Sequence, residues 1–246
     1  MSIGGVFTVI SLSKPHSEKA IHTPGARSIR EIVFGVNDGL VSITGLVVGV
    51  TASRMSPHHI LLAGLAAAMA ATVAMALGQY LSTTAQNEYF VSERNREVRE
   101  VQDIPDEERH EVEAIYKQQG FTSEQVKWLT DHITADKDRW VDFMMKEELG
   151  IVMESLDSPW TSAGVMALAV IVGSIPPILP YVLTSNTHVA LTWAIILAML
   201  TAFALGITKA KVAKGNWWKS GIQFVVVAAI AVVIGIAAGH LLSLII

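Results

Sequence analysis

Five stretches of this 246-residue sequence are long and apolar enough to cross a lipid bilayer, which takes about 20 such residues. They run approximately over 32–52, 60–81, 163–183, 189–207 and 222–246. Only the first contains a formal charge, Asp38, and none has the polar face that the helices of a soluble protein present to water. The sequence therefore predicts an all-α integral membrane protein with five transmembrane helices.

The charged residues are concentrated in one part of the chain. Only 16% of residues are charged, against about 25% in soluble proteins, yet 19 of the 22 acidic residues lie between Glu88 and Asp157. This distribution predicts a polar domain inserted between the second and third spans. The absence of cysteine excludes a disulfide scaffold and thiolate metal sites, and the net charge of −4 argues against nucleic acid as a partner.

The basic residues of the short loops predict the orientation. One side of the membrane has only Arg54, whereas the other has eight basic residues, namely Lys14, Lys19, Arg27, Arg30, Lys209, Lys211, Lys214 and Lys219. We expect the N-terminus and the insert in the cytoplasm and the C-terminus outside. The expected divisions are a cytoplasmic tail (1–28), transmembrane helices 1 and 2 (29–85), a cytoplasmic acidic helical metal-binding domain (86–159) and transmembrane helices 3–5 (160–246).

The insert has the signals of four helical segments. No breaker interrupts the second span, so its helix is expected to continue out of the membrane to about Val101. Pro105 suits the first position of the next helix, and Thr122 with Gln125 forms a capping-box pattern for another. A last helix is expected to end at Gly150.

Glycines recur at four-residue spacing within the spans, which lets helices approach closely in lipid. The pairs are Gly35 with Gly39, Gly45 with Gly49, and Gly235 with Gly239. They are interpreted either as packing within one chain or as the seam of a homodimer.

Asp38 is the first candidate for ion chemistry, because a charge inside a spanning helix costs about 2.5–3.5 kcal/mol on insertion scales. Ser42, Gly45 and Gly49 fall on nearly the same helix face, so we expect Asp38 to point into protein, toward another helix or a water-filled path. The alternative is an aspartate that caps backbone groups at the membrane interface. Met75 in the second span is, from its surroundings alone, more typical of packing than of a metal ligand.

The insert contains the denser signal for metal binding. Carboxylates at helical spacing repel one another, so acidic faces that fold together favour a cation between them. Combined with thioethers they suit a first-row divalent ion. The candidate residues are Glu97, Glu100, Glu108, Glu111, Met144, Met145 and Glu148. For any single glutamate, a solvated acidic face is the competing interpretation.

Enzymatic chemistry is not indicated. Glu107 and His110 match half of a di-iron carboxylate motif, but the insert has no second Glu-x-x-His, so a di-iron oxidase is a weak alternative. Phosphate-loop, dinucleotide-binding and nucleophile-elbow motifs are absent from the sequence.

Three separated segments resemble the signatures of the vacuolar iron transporter family. They are REIVFGVNDGLV at 30–41, AMALGQYL at 74–81 and WVDFMMKEELG at 140–150, and the resemblance extends over roughly residues 28–246. It implies a five-span homodimer that exchanges ferrous iron, and often manganese, against protons. A helical cytoplasmic domain would collect the metal and pass it to the membrane pore.

The resemblance also implies roles for individual residues. Asp38 and Met75 would be pore ligands, with Asp38 also exchanging protons, and the seven candidate residues of the insert would be ligands in the cytoplasmic domain. One position departs from the family pattern, because Ala67 stands where its members have a glutamate two turns before the methionine. This difference puts the membrane metal site and the proton coupling in question.

The leading hypothesis is therefore a transporter of Fe²⁺, with Mn²⁺, Zn²⁺ and Co²⁺ as further candidate substrates, and with no prosthetic group. Its expected partners are the lipid bilayer, divalent metal ions, protons and a second copy of the chain. We expect metal to move out of the cytoplasm through the plasma membrane of a prokaryote, with a vacuolar membrane as the alternative. The competing hypothesis is a membrane-anchored metal-binding or sensing module that does not transport.

Overall fold

The described part of the chain, residues 23–53, 55–152 and 156–243 of a computed structural model, consists of helices joined by short turns. No strand occurs in these ranges. The helices are α1 (Thr23–Ala52), α2 (Pro57–Asp103), α3 (Pro105–Gln118), α4 (Ser123–Thr134), α5 (Lys137–Glu147), α6 (Pro159–Leu183), α7 (Thr187–Val212) and α8 (Trp217–Ser243). Most of the predicted N-terminal tail lies outside the described residues, but its last six residues already belong to α1.

Five of the helices, α1, α2, α6, α7 and α8, are long and apolar enough to cross a membrane. Each of the five apolar stretches predicted from the sequence lies in one of them, apart from the C-terminal residues beyond Ser243, which the structure does not describe. The large hydrophobic side chains exposed on these helices, such as Met69, Leu168 and Val233, suit a lipid surround.

The second helix is much longer than a membrane span. Its 47 residues give a length of about 70 Å, whereas the hydrocarbon core of a bilayer is about 30 Å thick. The helix continues through 86–101 as predicted, and Pro105 then opens α3 at the expected first position. The membrane part and the polar insert are therefore connected by one continuous helix.

A small helical domain, residues 86–152, is formed by the C-terminal half of α2 with α3, α4 and α5. Its hydrophobic core consists of Val101, Val112, Tyr116, Val126, Trp140, Val141, Met144, Met145 and Ile151. The capping box at Thr122 and Gln125 is present, and Gly120 and Gly150 adopt the positive φ angles that end helices. These local signals determine where the helices of the domain begin and end.

The glycine pairs pack helices within the chain. A side chain at Gly35 would meet Ala169 of α6, at 2.7 Å from its Cβ atom. On the opposite half of α1, a Cβ atom at Gly49 would lie 3.0 Å from the carbonyl oxygen of Gly235, and one at Gly239 would collide with the Gly49 carbonyl. The intramolecular interpretation of the glycines is therefore confirmed, and α1 is the central helix that α6 and α8 approach most closely.

Candidate metal-binding sites and ion path

Five carboxylates of the helical domain come together at the turn between α2 and α3. The reversal at Ile104 and Pro105 sets the last turns of α2 beside the first turns of α3, and the residue that follows α5 joins them. We call this set the acidic cluster; its members are Glu97, Glu100, Glu108, Glu111 and Glu148. All five were predicted from the sequence.

Two members of the acidic cluster are buried without full hydrogen bonding. Glu97 is 1% exposed and Glu108 is 3% exposed. One oxygen of each, Oε2 in both cases, is inaccessible and has no hydrogen-bond partner. Burying an unpaired polar group costs free energy, about 1–3 kcal/mol on the scale of protein mutations. Both oxygens are thus available to a cation at a site that the fold does not otherwise satisfy.

The charges of the acidic cluster act on one another. Burial, followed by the charges of Glu111, Glu97, Glu100 and Glu148, raises the pKa of Glu108 to about 7. Burial is also the main cause that raises the pKa of Glu97 and of Glu148, and neighbouring carboxylates add to it in both cases. The cluster therefore retains protons to a higher pH than isolated glutamates would. A bound cation would displace these protons.

Arg96 is the basic residue within this cluster, and the sequence analysis missed it. Its guanidinium group donates a hydrogen bond of 3.3 Å to Glu97 Oε1 and lies within ion-pair distance of Glu93, at 3.0 Å, and of Glu100, at 3.4 Å. Over the described residues, no three histidine or acidic side chains converge closely enough to hold a metal ion. The carboxylates are neighbours partly neutralised by Arg96, and ligation would require their side chains to rotate.

The two candidate methionines are core residues of the helical domain. Met144 is 0% exposed and Met145 is 1% exposed, and both pack in the hydrophobic core. The carbonyl oxygen of Met144 accepts a hydrogen bond from the backbone N–H of Glu148, so this glutamate follows one turn after the buried thioether. The structure thus gives Met144 a packing role and places it in sequence and space just before a cluster member.

Asp38 lies half-buried on α1. One oxygen of its carboxylate accepts a hydrogen bond of 3.3 Å from the hydroxyl group of Ser42. Gly45 and Gly49 on the same side face α8, as predicted, but Ser42 is exposed. Within a single chain this face is therefore covered at Gly45 and Gly49 and open at Ser42, and the inward orientation of Asp38 stays a prediction.

A second carboxylate of α1, Glu31, is more deeply buried than Asp38. Glu31 is 5% exposed and accepts a hydrogen bond of 3.1 Å from the side-chain amide of Gln79 on α2. The same amide lies 3.3 Å from the hydroxyl group of the buried Thr83. The sequence analysis missed Glu31 because the apolar run begins one residue later, at Ile32. Its spacing of seven residues from Asp38 was the available signal, since that spacing repeats a helix face.

The hydrogen bond between Gln79 and Glu31 joins two polar stripes, each of which lies on one helix face by its spacing. The α1 stripe consists of Glu31, Asp38 and Ser42, and the α2 stripe consists of Met75, Gln79 and Thr83. From the rise of an α-helix, Met75 lies about 6 Å and Asp38 about 10 Å further into the span than the Glu31–Gln79 hydrogen bond. The predicted pore residues therefore lie at similar depths.

Comparison with known proteins identifies the family of the chain. Residues 29–240 match the model of the VIT family. The chain belongs to this family. It is 30% identical to vacuolar iron transporter 2 of Oryza sativa subsp. japonica over 216 residues, which cover 88% of this chain and 87% of the rice protein. It is 29% identical to vacuolar iron transporter 1 of Tulipa gesneriana, covering 90% and 89%, and 28% identical to the vacuolar iron transporter of Toxoplasma gondii, covering 96% and 80%.

In this VIT-family chain, Ala67 lies in an apolar part of α2. Ala67 is half-buried and packs against the hydrophobic cluster that contains Ile43, Val47 and Ile60. It lies eight residues before Met75, or about 12 Å along α2. Ala67 is therefore part of the apolar packing in the half of the α2 span that lies away from the helical domain.

Proposed function

We propose that this protein exports Fe²⁺, and Mn²⁺ with it, from the cytoplasm in exchange for protons. Membership of the VIT family and the names of the relatives support a metal transporter rather than an enzyme. The observation that carries the more specific proposal is the pair of buried carboxylate oxygens in Glu97 and Glu108 that have no hydrogen-bond partner. Glu97 lies near the end of α2, the helix that also runs through the membrane, and Glu108 lies in the first turn of α3.

The proposed topology has five spans with the helical domain on the cytoplasmic side. The basic residues at the start of α1 and around the end of α7 support this orientation under the positive-inside rule. The helical domain then receives metal from the cytoplasm, and the C-terminal end of α8 lies outside.

In the first step of the proposed mechanism, the acidic cluster captures the metal. A divalent ion would replace the guanidinium group of Arg96 as the counter-charge and would displace the protons that the raised pKa values of Glu97, Glu108 and Glu148 retain. The neighbouring thioethers of Met144 and Met145 are proposed as softer ligands that favour first-row metals over Ca²⁺ and Mg²⁺.

In the second step, the ion moves along α2 into the membrane. From Glu97 to Gln79 the helix covers about 27 Å, and Glu31 is the first acidic residue at the membrane end of this path. We propose that the ion passes from Glu31 to Met75 and Asp38, and that Asp38 takes up a proton when the metal leaves.

The exposed face of α2 supports a homodimer. Four small residues lie on it at four-residue spacing and are exposed, namely Ala66, Ala70, Ala74 and Gly78. A Cβ atom at Gly78 would meet no atom within 4 Å, unlike the intramolecular glycines of α1. A second copy could therefore approach closely along this face, and the half-buried Met75 borders it.

The membrane in which the protein works is also part of the proposal. The relatives are named vacuolar iron transporters, which favours the vacuolar alternative over the prokaryotic plasma membrane that we expected from the sequence. In either membrane the metal would leave the cytoplasm. The di-iron oxidase alternative gains no support, because the side chain of His110 is 78% exposed at the surface of α3.

Proteoliposomes provide the decisive test. The full-length protein is reconstituted with a metal-sensitive dye inside, and Fe²⁺ under reducing conditions or Mn²⁺ is added outside, with and without a pH gradient. We expect dye quenching that depends on the protein and accelerates with an opposing proton gradient. A lack of flux for both metals at every gradient would refute the proposal.

One observation favours a second candidate, a metal-binding module without transport. The apolar packing around Ala67 leaves that part of α2 without the carboxylate that family members have. This alternative predicts metal binding to the full-length protein in detergent but no flux. The variant Ala67→Glu distinguishes the two: restored flux in the variant alone would favour the non-transporting module, whereas similar flux in both favours our proposal.

A further inference from the structure

A cleft between α1, α7 and α8 has the shape and charge of a binding site for a phospholipid. It has a volume of about 470 Å³ and is lined at its polar end by Arg30, Lys209 and Gln223. Arg30 lies at the start of the α1 span, and Lys209 lies in the last turn of α7. Both residues are therefore at the same end of the membrane helices, the end that carries the helical domain.

Among the residues that the structure describes, no counter-charge pairs with the two basic side chains of this cleft. Over the described residues, neither Arg30 nor Lys209 makes a side-chain hydrogen bond or an ion pair. Glu31, the carboxylate that follows Arg30 in the sequence, accepts a hydrogen bond from Gln79 on a different side of α1. Arg30 and Glu31 are successive residues and point about 100° apart around the helix.

The rest of the cleft is apolar. Val33 and Phe34 of α1 face Phe224 and Val227 of α8 along its length, and Phe34 is 55% exposed. Asn37, one turn beyond Phe34, is the remaining polar group of the lining. A charged mouth followed by an apolar trough matches the headgroup and one acyl chain of a phospholipid, whereas a free phosphate ion would leave the trough unfilled.

We propose that this cleft binds an anionic phospholipid, with its phosphate between Arg30 and Lys209 and an acyl chain against Phe34 and Phe224. Basic pockets between transmembrane helices at the cytoplasmic side bind such headgroups. A second copy of the chain is a poorer occupant, because a symmetric contact would bring the basic residues of both copies together. The lipid would tie α1 to α7 and α8, independently of the ion path on the other side of α1.

Thermal stability of the full-length protein in detergent tests this proposal. The probes are phosphatidylglycerol and phosphatidylcholine with identical acyl chains, added to the wild type, to the double variant Arg30→Gln/Lys209→Gln, and to the control Lys211→Gln/Lys219→Gln. The control removes the same charge from the same side but outside the cleft. We expect phosphatidylglycerol to stabilise the wild type and the control by several degrees more than phosphatidylcholine does, and this preference to disappear in the cleft variant.

Native mass spectrometry supplies a second measurement that does not depend on melting. We expect retained phosphatidylglycerol on the wild type and the control, and about a tenfold loss of affinity in the cleft variant. The neutral variant Gln223→Ala serves if the double variant does not fold, with a smaller loss expected. Equal stabilisation by the two lipids, an equal loss in cleft and control variants, or full reproduction of the effect by glycerol 3-phosphate without acyl chains would each overturn the proposal. So would a change of oligomeric state in the cleft variant with lipid retention unaltered.

Discussion

The acidic cluster of the helical domain and the polar stripes of α1 and α2 hold their carboxylates in opposite ways. In the cluster, five glutamates lie close together, one arginine pairs with two of them, and two buried oxygens lack hydrogen bonds. In the stripes, each of the two carboxylates has a neutral partner, Gln79 for Glu31 and Ser42 for Asp38. Several carboxylates close together bind a cation strongly. Single carboxylates with neutral partners bind it weakly and so allow it to leave.

This difference assigns separate measurable properties to the two regions. Metal affinity should depend on the cluster, and flux should depend on the stripes. Variants altered in one region at a time test whether the other region keeps its properties.

The largest expected effect is on flux, from Asp38→Asn. The amide retains the size of the side chain but removes the charge, so no metal or proton can be exchanged at that position. We expect flux in proteoliposomes to fall more than about tenfold, the equivalent of losing at least about 1.4 kcal/mol of interaction.

The control for this variant is Ser42→Ala, which removes the hydrogen bond to Asp38 and keeps its charge. Its flux should fall much less. Metal binding measured by calorimetry should be unaltered in both proteins. If Asp38→Asn weakened binding as much as flux, the separation of the two regions would be wrong.

The next largest effect is on metal affinity, from the double variant Glu97→Ala/Glu100→Ala. It removes two members of the acidic cluster, one of them almost fully buried, and leaves the apolar core of the helical domain in place. We expect Mn²⁺ binding to weaken by about tenfold or more, which corresponds to about 1.4 kcal/mol.

A matched control is Glu107→Ala/Glu124→Ala, which removes two exposed glutamates of the same domain. Both proteins should melt within a few degrees of the wild type without metal. Unchanged Mn²⁺ affinity in the cluster variant, or an equal loss in the control, would contradict the assignment.

A third, smaller effect concerns pH and stability without metal. The pKa of Glu108 is about 7 in the folded protein, against its ordinary value of 4.5. Between these values the unfolded chain releases the proton and the folded chain retains it, so rising pH favours unfolding. By linkage, Glu108 should cost about 1–3 kcal/mol of stability above pH 7 and nothing below about pH 4.

The variant Glu108→Gln tests this sign. It should melt at a higher temperature than the wild type at pH 8 and at a similar temperature at pH 5, while binding Mn²⁺ more weakly. In the wild type, Mn²⁺ affinity should rise from pH 6 to pH 8 as the protons leave. A variant that is destabilised at pH 8 would argue against a strained carboxylate.

The same two regions differ in how far the sequence could predict them. The positions of Glu97, Glu100, Glu108 and Glu111 follow from helical spacing and from the proline that turns α2 into α3, which are local signals. Glu148 joins them only because α5 packs against α2. Arg96 was overlooked because a basic residue among glutamates is typical of an ordinary surface ion pair. Only the fold shows that its partner Glu97 is buried.

The membrane stripes depend on contacts between distant segments, which the sequence specifies less directly. Gln79 is 48 residues from Glu31, and no local pattern pairs an amide of one helix with a carboxylate of another. The exposure of Ser42 is also a matter of tertiary packing, because helical spacing places Ser42 on the face of Gly45 and Gly49 but does not show which turns of that face a neighbouring helix covers. The five helices that are long and apolar enough to cross a membrane, by contrast, follow from composition alone.

The smallest expected effect sharpens the comparison most, because it alters a stripe without removing charge. Gln79→Leu leaves the buried Glu31 without its amide donor. An ionised carboxylate deprived of its hydrogen bond is costly, so Glu31 should then be occupied by a proton or a metal ion more of the time. We expect a few-fold decrease in flux, a steeper dependence of flux on cytoplasmic pH, and unaltered Mn²⁺ affinity of the acidic cluster.

Thr83→Val is the control, because it removes a hydroxyl group that the same amide contacts but leaves the bond to Glu31 possible. If both variants change the pH dependence equally, the effect arises from packing at the end of α2, and Glu31 is then a structural carboxylate outside the ion path.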